Sequence, residues 1–259
     1  MFRVVDDRPG SDAAVTVARP GPLRVYAHVP ASADAADLTG LRVLLITDVL
    51  QRAAELGGLQ VLTTRVLAGW PASQAGVERA ADALGAHPPL LPAMDPSRGW
   101  PGGPHDVHVT RAGAVEEDDS TGILVRVADV RLAEEGRSRD AADGTLAGHD
   151  PIAVRLALMS VPRHHLAELT SAGLADAQRT VMGWRRSVAD WAQSPSRRIP
   201  EPIEAEIRAA FDAMDTITVL SLLTRLAADE AMPPGARFEA FAYADRVLGL
   251  DLPRDIGRR

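Results

Sequence analysis

The chain has 259 residues, and all 28 of its basic side chains are arginine, because lysine is absent along with cysteine and asparagine. The missing residues exclude disulfides, thiolate metal ligands and thiol nucleophiles on one side, and Schiff bases or an ammonium at a phosphate site on the other. Thirty-five acidic residues set the formal net charge at -7, which speaks against a broad nucleic-acid footprint while leaving room for a local arginine stripe, and the 46% of apolar residues suffice for a sizeable core.

The N-terminal residues show no signal-peptide pattern, and no run of about 18 apolar residues occurs, so a soluble cytoplasmic protein is expected. Residues 8–22 are rich in proline and glycine and read as a loop. Residues 23–29, LRVYAHV, read as a buried strand, and a polar stretch over 30–40 follows. Over residues 41–56, Val43, Ile46, Leu50, Ala53 and Leu56 fall at helical spacing, with Gly57 and Gly58 as the stop. Residues 59–66 form a second strand, which completes a βαβ unit with parallel strands and a right-handed crossover. Residues 74–84 have a helical pattern. Six prolines over 86–105 predict a long loop extending to about residue 120, and the acidic run Glu116 to Asp119 reads as a solvated turn rather than a metal site. Residues 123–132 predict one more strand, and the polar, glycine-bearing stretch 134–149 a connection.

Asp150 and Pro151 then open a helix, an N-cap carboxylate followed by proline at the first helical position. Only helices are predicted beyond it, over 166–191, 201–214, 216–228 and 236–248, with Leu166, Leu169, Leu174, Val181, Leu220, Leu223, Leu226, Phe238, Phe241 and Leu248 as their core. The expected fold class is α/β with a Rossmann-like parallel sheet over residues 1–149, followed by an all-α helical bundle over 150–259.

Several stretches, in order, resemble cysteinyl-tRNA synthetase and its relative, the cysteine ligase of mycothiol biosynthesis. Both are class I synthetase-type adenylating enzymes. Pro20 to Pro30 is similar to the family's first strand and turn, residues 41–50 to the helix behind its HIGH box, and 59–66 to its next strand. Residues 80–89 resemble a later helix and its exit. The most specific match is Asp150-Pro151-Ile152-Ala153-Val154-Arg155-Leu156-Ala157-Leu158-Met159-Ser160, which resembles the helix that follows the KMSKS loop; 211–220 and 244–250 resemble the ends of the helical domain.

The resemblance also shows what has changed. The HIGH box aligns with Asp37-Leu38-Thr39-Gly40, so an aspartate and a glycine stand where the family has its phosphate-binding histidines. The KMSKS loop aligns with Gly136-Arg137-Ser138-Arg139-Asp140. On this alignment Thr39 and Arg139 are the catalytic candidates, and Pro30, Asp37, Gly40, Arg137 and Ser138 the nucleotide-binding ones. A zinc site would draw on His28, His105 and His108, the first of them at the family's first thiolate position; the competing reading is that these are loop histidines.

The erosion of both signatures implies a synthetase-like protein that has lost catalysis and acts as a binding or assembly protein. The alternative is an ATP-dependent ligase that activates an amino acid for a small amine or tRNA, with Arg137 and Arg139 on the phosphates. No cofactor is expected, ATP and zinc being what the resemblance alone would supply. The expected partner is a protein or small-molecule ligand, with no membrane partner; tRNA is disfavoured by the net charge and by the chain ending soon after Leu252. Three further groups stand out. His164 and His165 read as a pair at a helix exit whose rings diverge. Arg137, Arg139, Arg163, Arg197 and Arg198 could line an anion-binding face. Trp184 and Trp191, two turns apart, read as core.

Overall fold

The computed structural model describes residues 2–8, 14–16, 21–29, 37–67, 71–89, 106–113, 122–133 and 149–258. Its centre is a four-stranded parallel sheet in the order β4-β3-β5-β6, made of β3 (Leu23–Val29), β4 (Val61–Leu67), β5 (Val107–Arg111) and β6 (Ile123–Val127). Ahead of it, β1 (Arg3–Val5) and β2 (Ala14–Thr16) form a short antiparallel pair, so the 8–22 stretch predicted as loop contains a strand. The chain after β1 also covers the open edge of β6. The Asp7 amide donates to the Leu124 carbonyl at 2.8 Å, and the Asp6 and Asp7 carboxylates accept from the Leu124 and Arg126 amides at 3.3 and 2.7 Å. This capping prevents the edge from templating another strand.

Helix α1 (Leu38–Leu56) crosses from β3 to β4 and is buried on every side from Leu38 to Gln51. A helix without a wet face has to lie between two layers. One side of α1 packs on β3 and β5; the other meets helix α7 (Pro234–Leu248) of the C-terminal half. The burial alternation of β3 follows from this arrangement. Leu23, Val25, Ala27 and Val29 are buried, while Arg24, Tyr26 and His28 alternate with them on the second face of the sheet. Helix α2 (Pro71–Ala83) packs beside α1.

Two expectations are corrected in this half. Residues 107–111, predicted as loop, form β5, an interior strand paired to β3 and β6; the proline and glycine residues ahead of it masked a five-residue β-rich run. The single strand predicted over 123–132 breaks at Ala128 and Asp129 into β6 and β7 (Val130–Leu132). Strand β7 pairs in parallel with β8 (Ala167–Leu169), which occupies the start of the helix predicted over 166–191; that helix, α4, runs from Ser171 to Trp191 behind a Thr170 N-cap. Leu166, expected in the core, is 39% exposed as a result.

The C-terminal half follows prediction closely: α3 (Pro151–Met159), α4, α5 (Glu201–Asp212), α6 (Thr216–Ala228) and α7, then a 3-10 turn over Leu252–Asp255. Asp150 caps α3 through a 2.9 Å bond from the Ile152 amide. Trp184 and Trp191 both pack edge-on against Phe241, at 5.8 and 5.1 Å between ring centroids, and serve as core. One continuous apolar cluster links β3, α1, α3, α4, α6 and α7. At roughly 1.5–3 kcal/mol per fully buried large apolar side chain, it is the main favourable term of the fold.

Candidate functional site

In an open parallel sheet, ligands bind beyond the carboxyl ends of the strands, where successive connections leave in opposite directions. Here that point lies between β3 and β5. The crossover from β3 leads to β4 on one side, and β5 pairs on the other, with His28 opposite Thr110. The N-terminus of α1 stands above the end of β3.

This helix start is tightly occupied. Asp37 is the N-cap, its Oδ1 accepting from the Gly40 amide at 2.8 Å. Gly40 has no room for a side chain: a Cβ would lie 2.5 Å from Val29 Cγ1 and 2.5 Å from Asp37 Oδ2. The Thr39 hydroxyl, buried, accepts from the Val130 amide at 3.1 Å and so fixes the first residue of β7. Asp37, Thr39 and Gly40, adjacent in the chain, sit together at the start of α1. Each is engaged with the protein itself. Pro30, Arg137, Ser138 and Arg139 lie outside the described residues, as does His105.

On the second face of the sheet, Tyr26, His28 and His108 meet. Tyr26 and His108 are edge to face at 5.0 Å between centroids, and His28 lies 6.0 Å from His108. His108 is a buried strand residue, not a loop histidine. Burial lowers the pKa of His28 and raises that of Tyr26, so both are neutral near pH 7. Among the described residues no group of three or more histidine, aspartate or glutamate side chains could hold a metal ion. At the rim, Arg111 and Asp129 form a two-bonded ion pair at 2.8 and 3.0 Å.

Sequence reasoning missed a buried charged cluster in the interior of α1. Asp48 is fully buried and accepts from Arg155 Nη2 at 2.6 Å, Arg52 Nε at 2.9 Å and the His87 amide at 2.9 Å; His87 Nδ1 lies 3.0 Å away. Burial pushes the carboxyl up, but the His87 hydrogen bonds and the charges of Arg155 and Arg52 outweigh it and hold Asp48 well below the usual carboxylate range. Arg155 also donates to the carbonyls of Leu248 and Leu84, so one guanidinium joins α1, α3, α7 and the exit of α2. Gly249, left-handed at φ 60°, makes room for it: a Cβ there would lie 2.9 Å from Arg155 Nη2.

Six residues before Asp48, Arg42 is buried and has no acid partner among the described residues. Its two terminal nitrogens donate to the carbonyls of Ala128, His165, Val161 and Pro162 at 2.7–3.2 Å. Burial pulls this guanidinium down to about 10, so it remains a cation at neutral pH. The turn it holds brings His164 and His165 together, their rings 4.4 Å apart, where the sequence predicted that they diverge. Arg163 beside them pairs with Asp7 at 2.7 Å. A single charge inside an otherwise apolar helix was the available signal for both Arg42 and Asp48.

No family model matches the chain. Over 151 residues it is 31% identical to the L-cysteine:1D-myo-inositol 2-amino-2-deoxy-alpha-D-glucopyranoside ligase of Kytococcus sedentarius, which covers 56% of this chain and 32% of that protein. The chain thus spans about a third of the length of that relative. Among solved structures, an arginyl-tRNA synthetase-like protein from Campylobacter jejuni superposes with a TM-score of 0.51, over 91% of this chain and 92% of that one, at 10% identity. The likeness in fold and the partial likeness in sequence point the same way: the chain resembles class I aminoacyl-tRNA synthetase-like proteins and has a Rossmann-like parallel sheet followed by helices. Within that class, the sequence likeness is to the mycothiol cysteine ligase.

Proposed function

We propose that this chain is a class I synthetase-like protein that no longer adenylates an amino acid and works instead as a binding or assembly protein, with residues 1–149 as its α/β unit and 150–259 as its helical unit. The observation that carries the reading is the Asp37 carboxylate on the Gly40 amide. A helix N-terminus attracts phosphate through free amides and a positive dipole end. Here a carboxylate of the chain itself takes an amide and places negative charge where a triphosphate would lie. Gly40 supplies no side-chain donor, and the Thr39 hydroxyl is oriented by the Val130 amide from which it accepts. With no lysine anywhere, the KMSKS ammonium groups cannot be present either. Each lost donor at developing charge costs about 10²–10³ in rate, so several losses together leave adenylation near background.

The test is ATP–pyrophosphate exchange with each of the twenty amino acids, alongside calorimetric titration with ATP. No exchange above the buffer blank is expected. Exchange stimulated by one amino acid would refute the reading. It would favour the alternative that the 31% identity to a cysteine ligase supports, an ATP-dependent amino-acid-activating ligase with a small amine acceptor.

A further inference from the structure

In the C-terminal half, the loop after α4 and one face of α7 line an open cavity of about 560 Å³. Arg197 and Arg198 come from the loop, and Glu239, Tyr243 and Arg246 from α7. The α7 residues recur at intervals of four and three, the spacing of one helix face. Ile199, buried, forms the apolar wall.

The loop is held in place rather than merely adjacent. Gly235 lets it pass so closely that a Cβ there would meet the Pro195 carbonyl oxygen at 2.0 Å. Ser196 Oγ donates to Glu239 at 2.6 Å, and Arg237 stacks on Trp191 at 4.7 Å, just before the loop begins. The two arginines are thus presented from a pinned backbone.

The charges do not cancel within the site. Its two acids are already engaged: Glu239 by Ser196, and Glu204 by Arg208 at 2.8 Å. Arg197, Arg198 and Arg246 make no ion pair among the described residues. Tyr243 adds a phenol hydroxyl, a neutral donor, to the same lining. Three guanidiniums thus face two carboxylates, of which Glu204 is paired with Arg208 from outside the lining, so the cavity is net positive in a chain of net charge -7.

We propose that this cavity binds a small phosphorylated molecule. A monocarboxylate would gain little against Glu204 and Glu239, whereas a dianionic phosphate can accept two-bonded forks from more than one arginine. The cavity has the size of a small-molecule site, and the negative charge of the whole chain disfavours a long polyanion. This inference does not depend on the fate of the sheet site.

Calorimetric titration of the full chain with inorganic pyrophosphate at low ionic strength tests it. Saturable binding is expected, weakened at least tenfold in the double variant Arg198→Ala/Arg246→Ala and within twofold of the parent in Arg179→Ala. Arg179 is an exposed residue of α4, about 18 Å along the helix from Trp191. The Arg198→Lys/Arg246→Lys variant should recover part of the loss, because it keeps the charge without the fork. Circular dichroism melts of all variants should coincide, since the exchanged side chains are exposed. No saturable pyrophosphate binding, or binding that persists unchanged in the double alanine variant, overturns the proposal. So does a salt-sensitive gel shift of a single-stranded RNA, lost in that variant, without pyrophosphate binding: that result would assign the arginines to nucleic acid.

Discussion

Replacing Asp48 by alanine removes the carboxylate bonded to the buried Arg155, whose remaining acidic neighbour, Asp245, acts on it only through its charge. The guanidinium keeps its bonds to the Leu248 and Leu84 carbonyls but loses its bonded counter-charge and its 2.6 Å acceptor. Arg52 and the His87 amide lose the same partner. Breaking a buried ion pair from one side costs about 3–5 kcal/mol, because a charge is left uncompensated in the interior. That is a large share of the roughly 5–15 kcal/mol that holds a typical domain folded, and corresponds to a fall in Tm of about 6–20 °C. Urea unfolding at neutral pH measures the loss. A cycle with Arg155→Met should give a coupling of at least about 1.5 kcal/mol, since the two side chains are in direct contact. The same site sets an acid limit. The folded pKa of Asp48 is depressed, so its contribution is complete above the unfolded value, about 3.9, and fades as pH falls below it toward the folded value. The parent should therefore lose stability more steeply than Asp48→Ala below about pH 4. A cost under about 1 kcal/mol, or two single variants whose effects simply add, would refute the reasoning.

Arg42→Lys should destabilise by at least about 2 kcal/mol in urea unfolding, because one ammonium cannot reach four carbonyls spread around a planar fork and buried acceptors are left unpaired. A fully tolerated lysine would show that these bonds are dispensable. Gly249→Ala combines a left-handed backbone with a Cβ 2.9 Å from Arg155 Nη2, and a loss of about 1–3 kcal/mol in thermal or urea melts is expected. At the candidate nucleotide site, Asp37→Ala should cost about 1 kcal/mol by loss of the N-cap while Asp37→Asn stays within about 0.5 kcal/mol. Equal stability of the two variants would show that the cap does not matter.

The elements that could be read from the sequence are those whose signals are local. Asp150 and Pro151 announced α3 because an N-cap and a fixed φ act within two residues. The apolar spacing of 43–56 announced α1, although the helix begins at Leu38, where Asp37 caps it. What stayed hidden depends on partners distant in sequence. Strand β5 is five residues long, and its identity comes from pairing with β3 and β6. Strand β8 has three residues, and only its register with β7 separates it from the start of α4. The candidate site was legible as a set of positions, Asp37, Thr39 and Gly40, through the family resemblance. Their engagements were not, because the contacts of Gly40 with Val29 and of Thr39 with Val130 arise from the close approach of α1 to the end of β3 and to β7. Arg42, Asp48 and Arg155 drew no separate reading from the sequence, since a charge in an apolar helix does not by itself say which distant groups meet it.

The N-terminal cap and the interior of α1 differ in what a substitution costs, and this difference bears on how a scaffold of this fold could lose a chemistry at the helix start and keep its fold. At the start of the helix, exchanging a polar residue alters a cap, an effect of about 0.5–2 kcal/mol. The motif positions lie there, and Asp37 still caps the helix whether or not a nucleotide is ever bound. In the middle of the helix, Arg42 and Asp48 join the sheet to the C-terminal helices through charges with no access to water. Changing either alone strands a buried ion or several carbonyls, at about twice that cost or more. Adenylation requires donors at the inexpensive end; the fold requires the charges at the expensive one. A chain can thus exchange the first set while its stability barely registers the change, whereas the second set can only be exchanged together with its partners. On the proposed reading, the carboxylate that closes the N-terminus of α1 belongs to the first set and the charged interior to the second.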